Sequence, residues 1–169
     1  MDGMQFQHFS TKGNNMSTNK TRIVAAVVVA ACLNVAAPVR ASQDSAVSVS
    51  RQVLEALENK DLDAADALFA SESSVFESGK AEGDWQNYRA HHIGAELAEF
   101  HVFEISTSDP EVVSASDESL VMVAWPIEYL IELHDGTRIE SVGTITFVLI
   151  EADGTYRVRH MHWSSRRKP

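Results

Sequence analysis

Apolar positions at Val49, Val53, Ala56 and Leu57 recur at helical spacing until Asn59-Lys60-Asp61 breaks the run. Asp61 can cap a second short helix with Leu62, Ala65 and Phe69 on one side. Val75-Phe76, between Ser73 and Gly79, reads as a short strand. Gly83-Asp84 opens a third helix that runs to about Phe100, with Asp84 as its N-cap. Strands are then predicted over 101–107, 119–133, 138–151 and 155–164. Asp135-Gly136 and Asp153-Gly154 join the last three as hairpins. The pattern predicts one α+β domain, a curved antiparallel meander packed against three N-terminal helices.

Two-residue turns in both hairpins would fix the register. Ala124 would oppose Phe147 and then His160; Pro126 would oppose Ile145 and then His162. One sheet face then carries Leu120, Met122, Ala124, Leu130, Ile145, Phe147, Leu149, Tyr156, Val158, His160 and His162, and is expected to face the helices. The other carries Val121, Val123, Trp125, Ile127, Tyr129, Ile131, Val148, Met161 and Trp163. That is too apolar to leave in water, and it predicts a homodimer through this outer face, with Trp125, Ile127, Met161 and Trp163 at the contact. One bulge would reverse the faces of the last strand.

The N-terminus changes the domain count. Lys20 and Arg22 precede an apolar run from Ile23 to Ala37, and Val39-Arg40-Ala41 supplies a small-residue cleavage site. Residues 1–41 are therefore expected to be an extension plus secretory signal, with Met16 an alternative start, and 42–169 a single domain. The protein is expected to be exported, periplasmic or secreted. Val29-Ala30-Ala31-Cys32 also fits a lipoprotein box, in which Cys32 would carry the anchor. Cys32 is the only cysteine, which excludes a disulfide framework. No other segment is apolar enough to span a bilayer. From residue 42 on, 10 Lys+Arg stand against 23 Asp+Glu. So acidic a surface repels phosphate backbones, which excludes nucleic acid as a partner. No Gly-rich phosphate loop is present, so no nucleotide cofactor is expected.

Histidine is the candidate chemistry. His160 and His162 stand two residues apart on a strand and so share a face. On the third helix, Trp85, Arg89, His92, Glu96 and Phe100 fall within one stripe, flanked by Tyr88 and Ile93, while His91 points about 100° away.

Four stretches carry a resemblance: Val53-Leu54-Glu55-Ala56-Leu57; Val75-Phe76-Glu77-Ser78-Gly79; Asp84-Trp85-x-x-Tyr88-Arg89-x-His91-His92; and Arg159-His160-x-His162-Trp163-Ser164-Ser165-Arg166. Together they resemble the exported bacterial SnoaL-like branch of the nuclear-transport-factor-2-like superfamily, over about residues 50–166. The resemblance implies a cone-shaped domain. Its relatives include ketosteroid isomerases, scytalone dehydratase and polyketide cyclases, whose catalytic residues find no matching set here.

Three readings stay open. The domain is first read as an exported dimeric module that binds a small hydrophobic molecule in a histidine-lined pocket, with Trp85, Glu96, Tyr156 and Phe147 as ligand contacts. A lyase, isomerase or hydrolase would use His92 or His160 as general base, with Arg89 or Tyr88 stabilising the anion. A Zn or Cu protein would use His160, His162, His92 and Glu77 as ligands.

Overall fold

The computed structural model describes residues 20–169, with side chains from residue 39 onward. The fold below is that of the compact unit Pro38–Pro169. Most of the expected signal, Met16 and Cys32 included, falls on positions that are undescribed or whose side chains are undescribed; its expected cleavage site, Val39-Arg40-Ala41, is described and lies within a helix. Among the described residues no helix is long and apolar enough to cross a membrane.

The first helix, α1, is Lys20–Glu58. It packs Val53, Leu54, Ala56 and Leu57 into the core, the face its periodicity predicts. In α2, Leu62–Asp66, Asp61 caps as predicted, its Oδ1 accepting from the Ala64 N–H at 2.9 Å. The chain then runs through β1 (Phe69–Glu77), β2 (Lys80–Gly83), α3 (Trp85–Tyr88), a π-helical turn (Arg89–Ile93) and α4 (Gly94–Glu99). Asp84 caps α3 through the Asn87 N–H at 2.7 Å. Five strands follow in β3 (Phe100–Thr107), β4 (Glu111–Ser114), β5 (Leu120–Leu133), β6 (Arg138–Ala152) and β7 (Thr155–Arg167).

These strands form one sheet in the order β2-β1-β7-β6-β5-β3, with β4 also paired to β5. The meander is antiparallel as predicted, but β1 joins the last strand in parallel, Val75 beside Met161 and Glu77 beside Trp163. The short strands β2 and β4 escaped the sequence reading.

The register departs from the prediction twice. The β5–β6 loop holds three residues: the Leu133 N–H donates to the Thr137 carbonyl at 2.9 Å, and Gly136 takes φ 84°. Every β5 residue therefore shifts by one, so Val123 opposes Phe147 and Trp125 opposes Ile145. The β6–β7 turn is the two-residue kind predicted, with Asp153 and Gly154 both at positive φ, and Leu149 opposes Val158. A β-bulge at Arg159 then shifts the rest of β7, pairing Val148 with His160 and Phe147 with Met161.

The side-chain period of two turns each shift into a change of face. The inner face is Val121, Val123, Trp125, Ile127, Ile145, Phe147, Leu149, Tyr156, Val158, Met161 and Trp163, all buried against the helices. The contact set expected for the homodimer, Trp125, Ile127, Met161 and Trp163, is thus core and not available to a partner. His160 and His162 lie on the outer face beside Ser74 and Phe76. His160 Nδ1 lies 2.9 Å from Ser74 Oγ, and His162 is exposed.

Candidate functional site

The third helical segment is not one straight α-helix. Its π turn inserts a residue between the buried Tyr88 and the buried Ile93, a spacing of five where an α-helix would set four. The turn requires glycine at its end, because a Cβ on Gly94 would lie 2.5 Å from the Arg89 carbonyl oxygen. Rotation through this turn sends Trp85, Tyr88, Ile93 and Leu97 inward and leaves His92 at the edge of the buried stripe.

There His92 meets three carboxylates. Its Nε2 is 3.1 Å from Glu96 Oε1 and 3.8 Å from Glu77 Oε2, and its Nδ1 faces Glu82 Oε1 at 3.0 Å. Both atoms of the last pair are buried, and neither makes a hydrogen bond. Tyr88 donates its hydroxyl to Glu77 Oε2 at 2.6 Å, and Lys80 Nζ holds the other Glu82 oxygen at 2.8 Å. The turn between β1 and β2 assembles the acids. Ser78 and Gly79 both take positive φ, and the hairpin sets Glu77 and the buried Glu82 on its inner side.

Glu77 and Glu96 border a cavity of about 40 Å³, whose remaining wall is Tyr88, Ile93, Phe100, Phe103, Tyr129, Ile131 and Trp163. At about 10–15 Å³ per water it holds roughly three water-sized groups. His92 stands behind the two carboxylates, outside the wall itself.

The titration of these groups follows from their surroundings. Burial pushes the Glu77 carboxyl up; the Tyr88 hydrogen bond and the His92 charge pull it back only in part, so it stays above the ordinary carboxylate value of 4.5. Burial pulls His92 down, but Glu77, Glu82 and Glu96 outweigh it and hold the imidazole above 6.5. Burial and the Glu77 charge drive the Tyr88 phenol far up, so Tyr88 stays a proton donor. The site is thus a buried carboxyl and an imidazole whose protons are linked.

Of the residues the sequence singled out, the structure brings together His92, Tyr88, Glu77 and Glu96. The others lie elsewhere. Arg89 is clamped to Asp63 at 2.6 Å and to Asp66, tying α2 to the helix that bears the site. Trp85 stacks on Phe69 at 4.2 Å and donates its Nε1–H to Asp66 at 2.6 Å, as a core anchor. Phe147 packs in the core against Trp125, and the Tyr156 hydroxyl donates to the Glu118 carbonyl at 2.8 Å. His160 and His162 are on the outer face, so the proposed ligand set of His160, His162, His92 and Glu77 is split between two faces. Among the described residues no group of three or more His, Cys, Asp or Glu side chains is arranged to hold a metal ion.

Glu82, Phe103, Tyr129 and Trp163 were missed. Ser78-Gly79 is a short turn signal that could have found Glu82; the other three needed the true register.

A model of the SnoaL-like domain matches residues 47–167, most of the chain. The chain belongs to the SnoaL-like family. Solved structures agree on the fold of this SnoaL-like protein. A nuclear transport factor 2 superfamily protein from Salmonella enterica superposes with a TM-score of 0.69 at 15% identity, covering 77% of this chain and 94% of that one. A chain from Shewanella frigidimarina, provisionally named a ketosteroid isomerase, is 25% identical with a TM-score of 0.61, over 69% of this chain and 92% of that one. A type 2 hexachlorocyclohexane dehydrochlorinase superposes with a TM-score of 0.66 at 10% identity, over 76% of this chain and 90% of its own. No curated protein matched the sequence.

Proposed function

We propose that the cavity binds a compact, largely apolar molecule and that Glu77 takes a proton from one of its carbon atoms, the step shared by isomerases and lyases. The observation that supports this most is the half-buried Glu77 carboxyl in the wall of a largely apolar cavity, held by the Tyr88 hydroxyl at 2.6 Å and backed by His92 at 3.8 Å. A desolvated carboxylate is a stronger base than one in water, and Tyr88 and His92 keep it ionised and aimed. His92 therefore acts as a positioning and charge-holding residue rather than as the base. The names of two similar structures, a ketosteroid isomerase and a dehydrochlorinase, describe reactions that begin with loss of a proton from carbon, which supports the reading.

The test is exchange of carbon-bound hydrogen for deuterium in D2O, followed by NMR over a panel of small ketones, β-hydroxy ketones and haloalkanes. Wild-type protein is expected to accelerate exchange or elimination in at least one class, with a bell-shaped pH profile. The rate rises as Glu77 deprotonates above 4.5 and falls as His92 loses its proton above 6.5. Binding without exchange anywhere in the panel would leave a binding module and remove the catalytic reading.

We further propose that the protein is exported and dimeric, on a face other than the one first expected. The exposed large apolar side chains of the described residues, Phe76, Val113 and Leu120, all lie on the outer sheet face. Along that face Glu111 on one side and Arg157 and Arg166 on the other give a two-fold sheet contact opposite charges to pair. Leu120→Glu with Val113→Glu is expected to convert a dimer to a folded monomer by light scattering. A wild-type monomer at high micromolar concentration would refute the dimer.

A further inference from the structure

We propose that the ligand is a cation: the cavity receives a small organic ammonium group, seated against Glu77 and Glu96 and enclosed by Phe103, Tyr129 and Trp163. This rests on the cavity being the ligand site and adds the chemical class of what enters it.

Charge selects the sign. Two carboxylates stand in the cavity wall and no Lys or Arg side chain does. Lys80 is engaged with Glu82 at 2.8 Å. An anionic substrate would face two negative groups in a partly desolvated space, where repulsion is poorly screened. The aromatic wall selects an organic cation over a hydrated metal ion. Phe103 and Tyr129 meet at 80° with centroids 6.1 Å apart, and Tyr129 and Trp163 at 72° and 5.7 Å. The three rings line the cavity, and an aromatic lining attracts alkylated ammonium by cation–π interaction. A cavity of about 40 Å³ admits an ammonium head of about three heavy atoms, with a further methyl group or any remainder of the molecule outside its mouth.

Competition with a proton gives the proposal its signature. His92 is faced by Glu77 from β1, by Glu82 from β2 with Lys80 beyond it, and by Tyr88 and Glu96 from its own helical segment. When His92 is protonated, its charge already neutralises part of the acid that the ligand needs. Ammonium binding therefore expels that proton and tightens as pH rises through the His92 titration.

Titration calorimetry on the full chain with trimethylammonium chloride, from pH 5.5 to 8.0, tests this. Isopropanol serves as an uncharged probe of equal heavy-atom count, and potassium chloride as a cation with no apolar surface. The expected result is saturable one-to-one binding, at least about tenfold tighter at pH 8.0 than at 5.5, with proton release. Glu77→Gln and Tyr129→Leu should each weaken it about tenfold or more, and neither isopropanol nor potassium should compete. Glu96→Gln, at the exposed rim, is the second variant should Tyr129→Leu fail to fold, and should also weaken binding. Isopropanol binding as tightly, or an ammonium affinity unmoved by Glu77→Gln and Glu96→Gln, would overturn the cation proposal and leave the cavity as a site for neutral molecules. Absence of ammonium binding at any pH would overturn it too, while deuterium exchange on neutral substrates would still decide the proton-transfer reading separately.

Discussion

Trp125→Ala is expected to lower the stability of the domain by about 3–5 kcal/mol in urea denaturation, enough to unfold much of a marginal protein. Trp125 is fully buried in the middle of β5, its ring edge-on to Phe147 at 6.3 Å, with the Arg51 guanidinium 5.6 Å from its ring centroid. Deleting the indole leaves a hole that Val123, Ile145 and Phe147 cannot fill without moving the sheet. Trp125→Phe is expected to cost much less, because the buried Nε1–H has no hydrogen-bond partner to lose. The pair of variants also separates the two assignments of the sheet faces. On an outer dimer face, Trp125→Ala would dissociate subunits and leave the monomer nearly as stable.

The difference between those assignments came from two backbone details. Alternation along β5, β6 and β7 is strong in the sequence, and the helices and their caps at Asp61 and Asp84 follow directly from helical spacing and cap chemistry. Both faces of β5 are apolar, however, so composition could not say which one the helices cover. The decision fell to the turns. Asp135-Gly136 closes a three-residue loop rather than a two-residue one, and the bulge at Arg159 lies mid-strand in a run, Val158-Arg159-His160-Met161, that alternates plausibly in either phase. A single residue in each place moved Trp125, Met161 and Trp163 inside and His160 and His162 outside.

The site was legible where it depended on helix spacing and opaque where it depended on register. Tyr88, His92 and Glu96 share one helical segment, and their proximity survives the π turn. Glu82 lies on a strand of four residues that carries almost no pattern, and Phe103, Tyr129 and Trp163 meet only when β3, β5 and β7 are in their true phase.

Glu77→Gln is the second large effect. It keeps the size of the side chain and an oxygen for the Tyr88 hydroxyl, but removes the base. Deuterium exchange into a responsive substrate is expected to fall about 10²–10⁴-fold, the usual contribution of a general base, with the fold intact by circular dichroism. His92→Gln should act differently. With the imidazolium gone, the falling alkaline limb of the pH profile should disappear, while part of the rate remains because Glu77 is still in place. Equal and complete losses in both variants would make His92 the base and Glu77 its support.

The coupling of Glu77 and His92 holds the site together, and it can be measured without knowing any substrate. An NMR titration of the His92 ring, assigned by its loss in His92→Gln, should be run on the wild-type protein and on Glu77→Gln. The His92 pKa is expected above 6.5 in the wild type, with a clear fall on removing the Glu77 charge. A His92 that titrates at or below 6.5, or that does not respond to Glu77→Gln, would contradict the coupling.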